Sequence, residues 1–279
     1  MGPHVVAFNG AAGAQTMANW DPNGYYTNHP CSIPPFTNHP ECVYDIVKAQ
    51  LTANGFSEKQ VQAVFFKNAR GTPQCDLKFA WCAPGQTEPD AYTSERMLGN
   101  ILRYLKCCKR DPYGQPVGSR YPNLKQVFLS SRIYGGYANG TDHGCTNPEP
   151  YAYEMGFTVQ RLIVAQIQQA AGQSSNDQYS GVVDYSNAPW FDWGPYLWAD
   201  GENKRSDLLN WCNGQNDANC NFGAQKDVRW GNPQDPNQWG DLTHPSAAGA
   251  QKVANMLVNF FTKSAANGGS PFVQHWNLQ

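Results

Sequence analysis

Short β-branched and apolar runs alternate along this chain with segments of helical period. "HVVAFNGAAGAQ" (4–15) opens with such a run, and "VQAVFFKNA" (61–69), "QVFLSSRIY" (126–134) and "SGVVDYS" (180–186) supply three more, all of a length suited to buried strands. Between them lie helical patterns. "VYDIVKAQLTA" (43–53) is stopped by Gly55. "SERMLGNILRYLKCC" (94–108) has Ser94 as a cap and Met97, Ile101, Leu102 and Leu105 on one face. "EPYAYEMGFTVQRLIVAQIQQAAG" (149–172) ends at Gly172. "HPSAAGAQKVANMLVNFFTKS" (244–264) has Pro245 in its first turn and gathers Val253, Met256, Leu257, Phe260 and Phe261 on one face. Strands separated by helices cannot pair through tight turns. They predict an α/β fold, a three-layer sandwich with a central parallel sheet flanked by helices. No break in composition divides residues 1–279, so one domain is expected, with 187–240 as long irregular loops.

The charge balance removes some functions. Twenty Lys and Arg against 22 Asp and Glu give a net charge of -2, and the basic residues are scattered, so no nucleic-acid partner is expected. No apolar run approaches the ~20 residues of a membrane span, and residues 1–9 lack the pattern of a signal peptide. Nine cysteines point instead to an oxidising compartment, extracellular or periplasmic. Cys31 with Cys42, Cys75 with Cys82 and Cys212 with Cys220 each close a short polar loop, and Cys145 is left to pair with Cys107 or Cys108. The repeat "TNHPC"/"TNHPEC" (27–31, 37–42) holds two His and two Cys, but its spacing is not that of a zinc finger, and a disulfide between Cys31 and Cys42 is the expectation.

In parallel sheets chemistry collects at the carboxyl ends of the strands, so the informative loops are 10–20, 130–147, 188–200 and the segment before His244. "GDLTHPSAAGAQ" (240–251) places Asp241 three residues before His244, directly ahead of an amphipathic helix. An acid that accepts from one imidazole nitrogen leaves the other free to take a proton from a hydroxyl. Such a base calls for a nucleophile. "APWFDWGPYLWADG" (188–201) is dense in aromatics. Trp193, Trp198 and Asp200, with Tyr134 from "RIYGGYANG", form either a platform for sugar rings or simple loop packing.

Asp-x-x-His-Pro-Ser-x-x-Gly before a final helix resembles the last sequence block of the SGNH/GDSL hydrolases, a family of Ser-His-Asp esterases. "FNGAAGAQTMANW" is similar to the family's second block, and "VFLSSRIYGG" lies where the third should be. The resemblance implies a flavodoxin-like strand order, His244 as base, Asp241 as its orienter and the Gly13 N–H in the oxyanion hole. It implies ester cleavage, the removal of acetyl groups from a polysaccharide, with no metal or organic cofactor. Arg132 stands where the family carries an oxyanion-donating Asn. Its guanidinium can bind an oxyanion or a substrate carboxylate, or can form a buried ion pair with Glu154.

The family's first block, with the nucleophilic serine, has no counterpart in the chain. Ser130, Ser131 and Ser246 are the available hydroxyls near the matched blocks, and each is a weak replacement. The expectation is that the first strand and its serine lie in an upstream segment or partner chain that completes the sheet. The alternative is a catalytically inactive carbohydrate-binding or cell-surface structural protein on the same fold.

Overall fold

The computed structural model describes residues 5–11, 15–23, 41–79, 82–107, 109–110, 116–138, 148–175, 177–214, 219–220, 226–228, 242–263, 267 and 269–270. Contacts divide the chain into two compact units. The sheet unit comprises Phe8–Leu129 and Phe157–Trp193, and the second unit Met1–Ala7, Ser130–Gly156 and Gly194–Gln279.

In the sheet unit, β1 (Ala63–Phe66), β4 (Gln126–Leu129) and β5 (Trp190–Trp193) form a parallel sheet in the order β1-β4-β5. Ala63 pairs with Gln126, and Gln126 with Trp190. The central strand reads as a continuous apolar run because it is covered on both faces, and Val127, Phe128 and Leu129 are wholly buried. The helices are α1 (Met17–Trp20), α2 (Cys42–Ala53), α3 (Asp90–Lys106) and most of α4 (Tyr151–Ala170). A two-stranded antiparallel ribbon joins β2 (Lys109–Arg110) to β3 (Pro116–Gly118). Gly55, at φ +78°, ends α2, and Gly172, at φ +71°, follows α4, both in the left-handed region that favours glycine. The structure is thus α/β with a small parallel sheet and helices. Among the described residues no helix is long and apolar enough to cross a membrane.

Several boundaries differ from those expected. Residues 5–9 form no strand, and Val6 is 58% exposed, so the opening β-branched pair lacks the burial that would make it one. Residues 180–186 are also irregular. The amide side chain of Gln166 explains why the strand forms later. Its Nε2 donates to Val183 O and Pro189 O, and its Oε1 accepts from Phe191 N, so the chain is held off the sheet until Trp190. The aromatic segment read as a loop therefore begins as β5. β4 ends at Leu129, five residues earlier than the apolar run suggests. Helix α3 starts at Asp90 rather than Ser94, because the Asp90 carboxylate collects the N–H groups of Gln74 and Cys75 and pairs with Arg70. Ser94 is buried within it, while Met97, Ile101, Leu102 and Leu105 form the expected buried face.

The second unit is built around Trp211, which is wholly buried with Ile133, Leu197, Ala199, Leu209 and Val228 beside it. Helix α5 (Ala247–Thr262) lays Val253 and Met256 on that cluster. Its N-cap is Ser246, so Pro245 lies before the cap rather than in the first turn. Gly249 is required by close approach, since a Cβ there would drive into the carbonyl of Asp227. The Asp227 carboxylate is buried and accepts from Cys212 N at 2.9 Å and Lys252 Nζ at 2.5 Å.

Disulfides join Cys75 to Cys82 in the sheet unit and Cys212 to Cys220 in the second unit, as the spacing predicts. Cys42 and Cys107 are also disulfide-bonded, whereas Cys31, Cys108 and Cys145 lie outside the described residues.

Candidate functional site

The second unit carries the histidine. His244 is exposed, while Thr243 before it is buried and Pro245 after it bridges to Val228. Ser246 fixes the next residue from both sides: its Oγ donates to Lys226 O and accepts from Gly249 N, and its N–H donates to Asp227 O. Leu242 has φ +53°, a conformation uncommon for a leucine, and its side chain packs on the Trp211 cluster. The imidazole is therefore presented to solvent from a backbone that packing and hydrogen bonds hold in one shape. Asp241 and Gly13 lie outside the described residues.

The three serines near the matched blocks are committed elsewhere. Ser130 Oγ donates to Pro195 O. Ser131 Oγ accepts from Leu197 N and Trp198 N at 3.0 and 3.2 Å, and Ser246 caps α5. Ser130 and Ser131 are also buried, at 3% and 0% exposure, which leaves neither hydroxyl open to a substrate.

The residues read as substrate-binding divide between the units. Trp193 ends β5 in the sheet unit, whereas Arg132, Tyr134, Glu154, Trp198 and Asp200 belong to the second. Tyr134 meets Tyr137 edge-on with ring centroids 4.9 Å apart and Trp198 at 6.4 Å; Trp198 meets Tyr153 at 4.6 Å. These rings are partly exposed, Tyr153 by 40%. Burial pushes the Tyr134 phenol up, and the negative charges of Asp200 and Glu149 add to the effect. Asp200 is exposed and accepts from Asn203 Nδ2.

Glu149 organises this cluster and was missed by sequence reasoning. Its Oε1 accepts from Gly135 N at 2.9 Å and Trp198 Nε1 at 2.8 Å, and its Oε2 accepts from Tyr153 N at 3.0 Å. An acid directly before a proline at the mouth of a helix was the available signal. The carboxylate whose charge reaches Arg132 is that of Glu149, and Arg132 makes no ion pair with Glu154, which is buried on α4. Burial pulls the Arg132 guanidinium down to about 10, and Glu149 offsets only part of that.

In the sheet unit, Asn68 follows β1 and donates from Nδ2 to Gln15 O at 3.3 Å, and Met17 N donates to Ala69 O. The carboxyl end of β1 is thereby tied to the segment that leads into α1. Among the described residues no three His, Cys, Asp or Glu side chains converge as a metal site requires.

No family model, curated protein or solved structure matches the chain.

Proposed function

We propose that this chain carries the acid–base half of a serine-type carboxylic ester hydrolase resembling the SGNH/GDSL enzymes, secreted and acting on acylated carbohydrate. His244 is the general base, Asp241 orients it, and the Gly13 N–H contributes to the oxyanion hole. The nucleophile is a serine outside the described residues, since Ser130, Ser131 and Ser246 are occupied by backbone partners. In the reaction His244 takes the serine proton as Oγ attacks the acyl carbon. It returns that proton to the departing sugar hydroxyl, and water then cleaves the acyl-enzyme by the same route. The observation that carries the reading is the exposed imidazole on a fixed platform, with a left-handed Leu242 on one side and a capped, bridged helix start on the other. Disulfides in both units agree with a secreted protein.

A second reading, a carbohydrate-binding protein without catalysis, is favoured by the commitment of those three hydroxyls. Release of acetate from acetylated xylan and from 4-nitrophenyl acetate separates the two. The hydrolase reading expects turnover that falls by ~10²–10⁴-fold in His244→Ala. Binding of the polysaccharide with no release of acetate by the wild type establishes the second reading.

A further inference from the structure

One guanidinium in the second unit spends none of its donors among the described residues. Arg132 follows the buried Ser131 on the extended segment that leaves β4. Its Nε is sealed from solvent, and among the described residues no oxygen accepts a hydrogen bond from any of its nitrogens and no carboxylate pairs with it. The two terminal nitrogens are not sealed in this way. Arg132 is half-buried with its Nε sealed, and an arginine so placed is ordinarily paired, because desolvating the charge is costly. The nearby acid does not serve as its partner. Glu149 instead accepts from the N–H groups of Gly135, Trp198 and Tyr153, and its charge reaches the guanidinium without an ion pair. The fold thus holds a half-buried cation in place, and among the described residues nothing accepts from its terminal fork.

We propose that Arg132 anchors a subsite for a carboxylate-bearing sugar, a uronic-acid residue whose carboxylate meets the terminal nitrogens while its ring lies against the Trp198–Tyr134–Tyr153 cluster. Two parallel N–H donors match the two oxygens of a planar carboxylate. The Glu149 charge favours a monoanion there over a phosphate dianion, since a second negative charge would face it. Glu149 also accounts for the neighbouring rings: it fixes the Trp198 indole at 2.8 Å, and Trp198 contacts both tyrosines. This assignment rests on the reading of the protein as acting on glycans, and it narrows that class to acidic ones.

The test is calorimetric titration of the full chain with a glucuronate-substituted xylo-oligosaccharide, its unsubstituted parent, and inorganic phosphate. The acidic oligosaccharide is expected to bind at least ~10-fold more tightly than the parent, a bidentate charged contact being worth more than one such step. Arg132→Gln is expected to remove the preference, and Arg132→Lys to restore part of it. Arg132→Gln should also raise Tm, because it deletes a charge whose desolvation Glu149 offsets only in part; an arginine with a structural role would lower it. Equal binding of the two oligosaccharides, no binding of either, a preference that survives Arg132→Gln, or phosphate competing on equal terms would each overturn the assignment. Hydrolysis of 4-nitrophenyl acetate by the same preparations, with His244→Ala as control, keeps the outcomes separate. Hydrolysis without uronate preference sinks the subsite alone, and uronate preference without hydrolysis sinks the hydrolase alone.

Discussion

Replacing Glu95 by glutamine tests a buried carboxyl group in the sheet unit. Its side chain on α3 is 0% exposed. Oε2 accepts from Arg161 Nε at 2.8 Å, while Oε1 is buried with no donor facing it. Asp177 shares the same guanidinium through Nη2 at 2.6 Å. Burial raises the Glu95 carboxyl from 4.5 to about 8; the Asp177 carboxylate supports the rise and Arg161 opposes it. The carboxyl group therefore retains its proton well above the ordinary carboxylate range. In the unfolded chain this proton leaves near 4.5, and in the folded chain near 8. Between those values the folded state binds more protons, so stability falls as pH rises through the interval. At ~1.4 kcal/mol for each pH unit, the ceiling is ~5 kcal/mol. Arg161 is 36% exposed and lets solvent screen the pair, which reduces the expected loss to ~1–3 kcal/mol. Urea unfolding followed by tryptophan fluorescence at pH 5, 6, 7 and 8 measures it. The wild type should lose that amount between pH 5 and 8 relative to Glu95→Gln, and the variant should be the more stable at pH 8. Parallel curves for the two proteins would show that Glu95 ionises normally and refute the reasoning.

Three further outcomes follow from packing. Gly249→Ala pushes a methyl group into the Asp227 carbonyl, which is fixed by Ser246 N, and should cost ~2–3 kcal/mol in urea unfolding. Gln166→Leu keeps the volume but strands Val183 O, Pro189 O and Phe191 N. A loss of ~2–4 kcal/mol is expected, and native-state hydrogen exchange should show the Phe191 amide opening first. Substituting both Cys212 and Cys220 by alanine frees a short loop next to the Trp211 core and should cost ~2–3 kcal/mol, read as a fall in the urea midpoint with the slope unchanged.

The helices were legible where their pattern was long. The buried face of α3 and the glycines at the ends of α2 and α4 were all readable from period and turn chemistry. The half-buried face of α5 was equally plain. The strands were less so. "VVAF" and "GVVDY" have the β-branched composition of strands, yet only burial and a partner make a strand, and neither segment finds them. Ser94 resembled a cap because a serine before an amphipathic run often is one. The actual start depended on Arg70, Gln74 and Cys75, fifteen to twenty residues away in sequence and invisible to a local pattern.

The sequence alone determined the α/β class, the local disulfides at Cys75–Cys82 and Cys212–Cys220, and the helix that follows His244, because each depends on residues within a few positions of one another. Tertiary structure decided the rest. It committed the Ser130 and Ser131 hydroxyls to backbone groups more than sixty residues onward, brought Glu149 to Trp198, and left the Arg132 Nε with no acceptor among the described residues. A hydrogen-bonding group carries the same capacity wherever it stands in a chain. Which partners reach it once water is excluded is a property of the folded arrangement, and that arrangement separates a structural serine from a nucleophile and a paired arginine from an open one.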